Sequence, residues 1–381
     1  MHVLSKLKRV GITFLAFLIG LNCVIYITDF THIYKAVWYN YVDIDDYKIF
    51  DNRVIHSSEN PQPWLVSTDY NKKELSPSLT RTLDSLKTVA FLVIKDDSIQ
   101  HESYWDGYDE NSISGSFSVA KSYVSALVGA AIKDGYIKNV DQPVADFLDP
   151  FKEGNKSKIT IKHLLTMSSG LSWDESYAGP FSITTKAYYG RDLEGIIDDL
   201  ISVSEPGQCF KYLSGDTQVL SFLLEAATKK SVSKYAEEKL WKPMGCENDA
   251  LWSLDDTEGH EKAYCCINSN ARDFARLGKL YLQDGKWNGQ TLVPTDYVWK
   301  SISPNFYAAD TCDFYGYQWW LYPNDLENEV FYARGILGQY IIVIPSKKVV
   351  VVRLGHLRGL KSSGPHPDEL YEFVKYVHET Y

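Results

Sequence analysis

The chain has 381 residues and little of what metal, phosphate or nucleic-acid sites are built from. Its six cysteines, Cys23, Cys209, Cys246, Cys265, Cys266 and Cys312, contain no C-x-x-C pair, which excludes the usual zinc spacings. His163, His260, His356 and His366 fall in no ligand spacing, so no metal is expected. There is no glycine-rich phosphate loop and no dinucleotide fingerprint, so no cofactor is expected either. Beyond Lys6, Lys8 and Arg9 no basic run occurs, and the formal net charge is -10. So acidic a chain lacks the broad cationic face that holds nucleic acid. Internal repeats and low-complexity tracts are absent. Cys265 and Cys266 are not expected to bond each other, because a bridge between neighbours is strained. Scattered buried thiols are the expectation, with a bridge between distant cysteines left open for an oxidising compartment.

Hydrophobic residues make up 45% of the chain, enough for a sizeable core. The three basic residues precede an apolar run, Val10 to Ile27, whose clearly polar members are Thr13 and Asn22. Its length is close to that of a bilayer-crossing helix. The preceding charges put the N-terminus inside and the rest on the periplasmic or extracytoplasmic side. A cleaved signal peptide is the alternative, although no small-x-small pattern follows the run. This divides the chain into 1–28 as membrane anchor or signal, 29–51 as linker and 52–381 as the folded domain.

Within that domain, Val89 to Lys95 is β-branched and apolar, a buried strand. Asp96-Asp97 turns the chain into a second strand, Ser98 to Trp105. From Ser118 apolar residues recur at helical spacing until Gly135. Helices also fit Ile161–Thr166, Thr217–Ala227 and Ala271–Leu282. Tyr340 to Ile344 and Val349 to Leu354 form a hairpin about Pro345 to Lys348, and Asp368 to His378 closes the chain as a helix. The order predicts an α+β fold. The two strand groups join into one antiparallel sheet flanked by helices, and a large helical lobe, about 118–310, packs on it. The cleft between lobe and sheet is where a small molecule would bind.

Ser118-Val119-Ala120-Lys121 is an S-x-x-K motif. Residues i and i+3 share a helical face, so the lysine reaches the serine hydroxyl. Ser118 stands where the helix begins, among N–H groups that favour developing negative charge. A serine hydroxyl becomes a nucleophile only when a base takes its proton. Taken singly, the motif equally describes a helix-capping serine with a solvated lysine. The helix that follows is apolar on nearly all sides, however, and a buried helix does not carry an unpaired lysine without reason. In Pro206–Ser214, a Pro-Gly turn leads into an extended segment that delivers Tyr212 and Ser214 to one side. Ammonium neighbours would favour the phenolate of Tyr212 and make it a second base.

These stretches resemble the serine β-lactamase-like family, which includes class C β-lactamases, D-Ala-D-Ala carboxypeptidases and carboxylesterases. The likeness extends through Ile161–Leu171, Leu240–Gly245, Asp273–Gly278, Leu282–Gly285 and Gly316–Trp320, and covers about 50 to 378. It implies the DD-peptidase fold. Within the family the chain is most similar to 6-aminohexanoate-dimer hydrolases, which cleave a short linear amide and also carboxylic esters. Trp173–Tyr177 resembles the loop that carries their second active-site tyrosine, and Gly335–Gln339 the strand that carries their second oxyanion donor. The resemblance implies that Ser118 attacks, that Lys121 and Tyr212 exchange its proton, and that Tyr177 holds the leaving amine. The N–H groups of Ser118 and Ile336 would form the oxyanion hole. Trp173, Ser214 and Gly335 would contact substrate.

Two departures bear on specificity. The family's Y-x-N reads Tyr212-Leu213-Ser214, and its K-T-G strand is replaced by Phe331-Tyr332-Ala333-Arg334-Gly335. The lysine and threonine that meet a β-lactam carboxylate are therefore missing. Arg334, one place off, would face the other way. Hydrolysis of esters or short linear amides through an acyl-enzyme on Ser118 fits best. A D-Ala-D-Ala carboxypeptidase or a non-catalytic binder of peptidoglycan fragments is the alternative. The oligomeric state is left open.

Overall fold

The computed structural model describes residues 2–177, 179–309, 311–322, 330–359 and 364–381. A seven-stranded sheet forms the floor of the folded part. Its strands, in chain order, are β1 (Leu65–Val66), β2 (Thr88–Lys95), β3 (Ser98–Tyr104), β4 (Trp320–Leu321), β5 (Phe331–Gly335), β6 (Gln339–Ile344) and β7 (Val349–Gly355). They lie in the order β4-β5-β6-β7-β2-β3-β1. The early and late strands join through β7 and β2, where Val351 pairs with Val93. Every pairing is antiparallel except at the edge, where β1 runs parallel to β3, a departure from the fully antiparallel expectation. Two residues are too short for any hydrophobic period to register.

The continuous apolar run of β2 has a plain cause. Ala90, Leu92 and Ile94 enter the core beneath the lobe, while Phe91 and Val93 enter a second core on the opposite face. A strand covered on both sides needs no polar alternation. Helices α3 (Pro77–Ser85) and α9 (Asp368–Thr380) cover the second face with Leu79, Leu83, Leu370 and Phe373. Helix α8 (Ala271–Leu282) covers the first. At Gly278 it lies so close that an added Cβ would stand 2.6 Å from Val350 Cγ1.

The lobe is organised around α4 (Ala120–Lys133), which is buried without interruption from Ala120 to Ala131. It packs on α7 (Ser214–Thr228), with the shorter α5 (Ile161–Leu165) against α7; α6 (Ile183–Tyr189) lies further out in the lobe. Gly135, at φ +79°, ends the central helix as the sequence implies.

Two expectations are corrected. The segment 29–51 is folded onto the lobe instead of linking freely. Helix α2 (His32–Tyr39) packs on α6, His32 Nε2 lies 3.0 Å from the Pro180 carbonyl, and Lys186 pairs with Asp29 at 3.1 Å. Its sequence reads as polar and aromatic by turns because one side is docked and the other is open. Cys265 and Cys266, in turn, are bonded to each other. Cys266 adopts φ +71°, a left-handed turn that brings the two side chains together. Ahead of α2, α1 (His2–Ile27) contains a stretch, Lys6–Ile27, long and apolar enough to cross a membrane, with a mean hydropathy of 2.3 and none of it buried.

Candidate active site

Ser118 sits in a single 3-10 turn, Phe117–Val119, that leads into α4. Phe117 holds φ +47°, a left-handed conformation rare for a bulky residue and typical of places where a backbone is bent for function. The end of β5 presses on this turn. A Cβ on Gly335 would lie 2.3 Å from the Ser116 carbonyl oxygen and 3.1 Å from Phe117 Cβ, so glycine is required there. The next residue, Ile336, shares with Ser118 the wall of a cavity of about 300 Å3.

Beneath that cavity lies Lys121, 1% exposed. Its Nζ stands 3.0 Å from Ser118 Oγ, 3.1 Å from Ser214 Oγ and 2.7 Å from the Tyr264 carbonyl oxygen. The rings of Tyr212 and Tyr264 flank the amine at 5.1 and 5.7 Å. Burial removes water from the ammonium and lowers its pKa to about 8, against a partial counter-pull from Glu175. Near neutrality the lysine can therefore give up its proton. The neutral amine has two N–H bonds for the Tyr264 carbonyl and Ser214, and one lone pair for the hydroxyl of Ser118.

Tyr212 lies close enough to Ser118 for that hydroxyl to act on its phenol, and its ring stacks on Trp320 at 5.6 Å. The expectation that ammonium neighbours favour its phenolate is not met. Burial, joined by the negative charge of Glu175, raises its pKa, and the pull of Ser118, Arg334 and Arg358 is too weak to reverse this. The phenol is neutral, a proton donor in the resting site.

The remaining residues singled out by sequence divide. Ser214 and Tyr177 line the cavity. Ser214 opens α7 on the lysine side, as the extended approach of Leu213 (φ -132°, ψ 118°) allows. The Tyr177 ring is 45% exposed and its hydroxyl donates to Glu175 Oε1. Trp173, expected to touch substrate, is not among the residues that line the cavity. It is fully buried, donates from Nε1 to Thr184 Oγ1 at 3.0 Å, and fills the space left by Gly215, whose Cβ would stand 2.6 Å from the indole. Its role is to support the start of α7. Arg334 packs over the Trp320 ring at 3.7 Å, donates to the Pro365 carbonyl and is not among the residues that line the cavity.

Three features escaped the sequence reading. Glu175 accepts from both the N–H and the hydroxyl of Ser214. Tyr264 supplies the carbonyl that anchors Lys121. Helix α2 and the residues after it, including Val37, Tyr41 and Val42, form a wall of the cavity. Among the described residues no cluster of three or more His, Cys, Asp or Glu is placed to hold a metal ion.

A family model described as Beta-lactamase matches residues 78–371. The 6-aminohexanoate-dimer hydrolase of Paenarthrobacter ureafaciens is 26% identical over 312 residues, 77% of this chain and 76% of that protein. A solved structure from Bacillus anthracis, provisionally described as a 6-aminohexanoate-dimer hydrolase, superposes with a TM-score of 0.72 at 20% identity, covering 88% of this chain and 92% of its own. A family VIII carboxylesterase superposes with a TM-score of 0.59 at 13% identity, over 81% of this chain and 98% of its own. At such identities the structural matches speak for the fold.

Proposed function

Because the chain belongs to the beta-lactamase family and is a serine hydrolase, we propose that it cleaves carboxylic esters or short amides through an acyl-enzyme on Ser118. One observation carries this reading: a buried amine whose pKa is lowered to about 8 stands 3.0 Å from the Ser118 hydroxyl. Neutral Lys121 takes the hydroxyl proton as Ser118 Oγ bonds to the substrate carbonyl carbon. The N–H groups of Ser118 and Ile336 receive the oxyanion, where each such donor is typically worth about 3 kcal/mol of barrier. Neutral Tyr212 protonates the leaving oxygen or nitrogen as its bond to carbon breaks. The proton held by Lys121 restores the phenol. Water then attacks the acyl carbon, giving its proton to the lysine–tyrosine pair, and Ser118 leaves protonated. Tyr177, a residue of the cavity wall, contacts the leaving group in this reading.

Glu175 positions Ser214, which in turn accepts from Lys121. A carboxylate at the first turn of α7 is favoured by the helix's free N–H groups. Helix α1 anchors the chain in a membrane. Its exposed apolar surface and the basic residues ahead of it support this reading, in which the catalytic domain lies on the extracytoplasmic side.

A fluorophosphonate probe tests the assignment. It labels the wild type and fails to label Ser118→Ala. Equal labelling of both proteins would remove Ser118 from the chemistry.

A further inference from the structure

The cavity above Ser118 is unusual in what encloses it. Its described lining carries no charged side chain; the polar groups are hydroxyls and the amide of Asn40. A carboxylate or ammonium group carried into such a space would find no charge on the walls, and Lys121 beneath them is already engaged by Ser118, Ser214 and the Tyr264 carbonyl, so the ion would be buried unpaired at a cost. The carboxylate of Glu175 is already taken up by Ser214 and Tyr177. The part of the substrate that enters is therefore uncharged, and the walls made by Val37, Val42, Pro180 and Ile336 suit a hydrocarbon chain.

The same cavity is joined to the apolar N-terminal helix through α2. Helix α2 begins at His32, five residues after α1 ends at Ile27, and supplies the Val37 wall. The connection is held at both ends. Tyr34 donates its hydroxyl to Asn22 of α1, and the Tyr34 ring lies 6.4 Å from that of Tyr26. On the other side, the Tyr39 ring stacks on Tyr189 of the cavity wall at 6.2 Å, and Phe30 meets Phe181 edge-on at 5.7 Å. The outward side of this connection is aromatic and open: Trp38 is 82% and Phe181 71% exposed. Tryptophan and other aromatic rings beside the end of an apolar helix settle at the headgroup level of a bilayer. Val37 is 72% exposed and also lines the cavity, so the mouth opens on that same side.

We propose that the substrate is an uncharged amphiphilic ester with a long hydrocarbon acyl chain, taken from the bilayer interface along α2 into the cavity above Ser118. This rests on the ester-hydrolase reading and adds to it the class of substrate and the route of entry. Trp38 and Phe181 act as interfacial contacts, whereas Val37 is a threshold that the chain passes.

Full-length protein in phosphatidylcholine vesicles tests the proposal, with p-nitrophenyl acetate as the soluble ester and p-nitrophenyl laurate as the membrane-borne one. Across the intermediate chain lengths, kcat/KM should rise by up to about fourfold per methylene that enters the cavity, then level off. The double variant Trp38→Ser/Phe181→Ser should lose tenfold or more on vesicle-borne laurate and keep the acetate rate, which also reports that it is folded. Val37→Asp should depress the laurate rate further. Equal rates on short and long chains, or a double variant that cleaves vesicle-borne laurate like the wild type, would overturn the proposal while leaving the hydrolase reading in place. Failure to cleave either ester would overturn the proposal together with the ester branch of the hydrolase reading, whose acyl-enzyme on Ser118 the fluorophosphonate label tests separately.

Discussion

Glu175 receives the backbone N–H of Ser214 at 2.7 Å on one carboxylate oxygen and the Ser214 hydroxyl at 2.6 Å on the other. That double contact fixes where the Ser214 oxygen points, and the oxygen accepts in turn from Lys121. The carboxylate also raises the pKa of Lys121 against the effect of burial. Glu175→Gln removes the charge and keeps the shape. The amine then loses its proton more readily, so the rise of kcat/KM with pH should move to lower pH than in the wild type. The plateau should fall as well, by about tenfold or more, because the amide cannot accept on both sides. A pH profile of both proteins checks this; an unchanged midpoint would place Glu175 outside the electrostatics of the site.

Lys121 is expected to impose its own titration on the reaction. Its pKa is lowered to about 8, and the reactive form is the neutral one. Activity should therefore climb roughly tenfold per pH unit below that value and flatten above it. In Lys121→Arg the side chain stays charged at every accessible pH. This variant should lose about 100-fold to 10,000-fold in kcat, the usual range for a missing general base, and its residual rate should not follow the wild-type titration.

Gly335→Ala tests the contact between sheet and active-site turn. The new methyl meets the Ser116 carbonyl at 2.3 Å, where only backbone movement can make room. The substitution should cost about 1–3 kcal/mol of stability by overpacking and displace the Ser118 turn, cutting kcat/KM by about 100-fold. Thermal unfolding and steady-state kinetics measure the two effects separately.

The parts of this molecule that were legible in the sequence are those dictated by burial. Val89 to Lys95 could be read as a strand because both its faces are covered, and the helix after Ser118 because it is enclosed on all sides. The lysine stood out for the same reason: a cation in an apolar helix demands partners. What stayed hidden depends on loops that carry no period. Glu175 meets Ser214 across 39 residues, and Tyr264 contributes a carbonyl that every residue type possesses. Helix α2 looked like a linker because half of its surface is apolar and exposed. Trp173 lies off the cavity wall because a glycine one residue into α7 leaves the indole a place in the core, which its position in the loop sequence does not reveal. The state of Tyr212 could not be read from its motif, since burial outweighs the nearby cations.

The covalent intermediate is the most direct test of the account. Full-length protein is mixed with p-nitrophenyl acetate, quenched in acid within the first turnovers, digested and mapped by mass spectrometry. The account predicts an acetyl group on the peptide that contains Ser118, assigned by fragmentation to Ser118 and absent from Ser118→Ala. An acetyl group on another residue that turns over at the catalytic rate, with Ser118 unmodified, would contradict it.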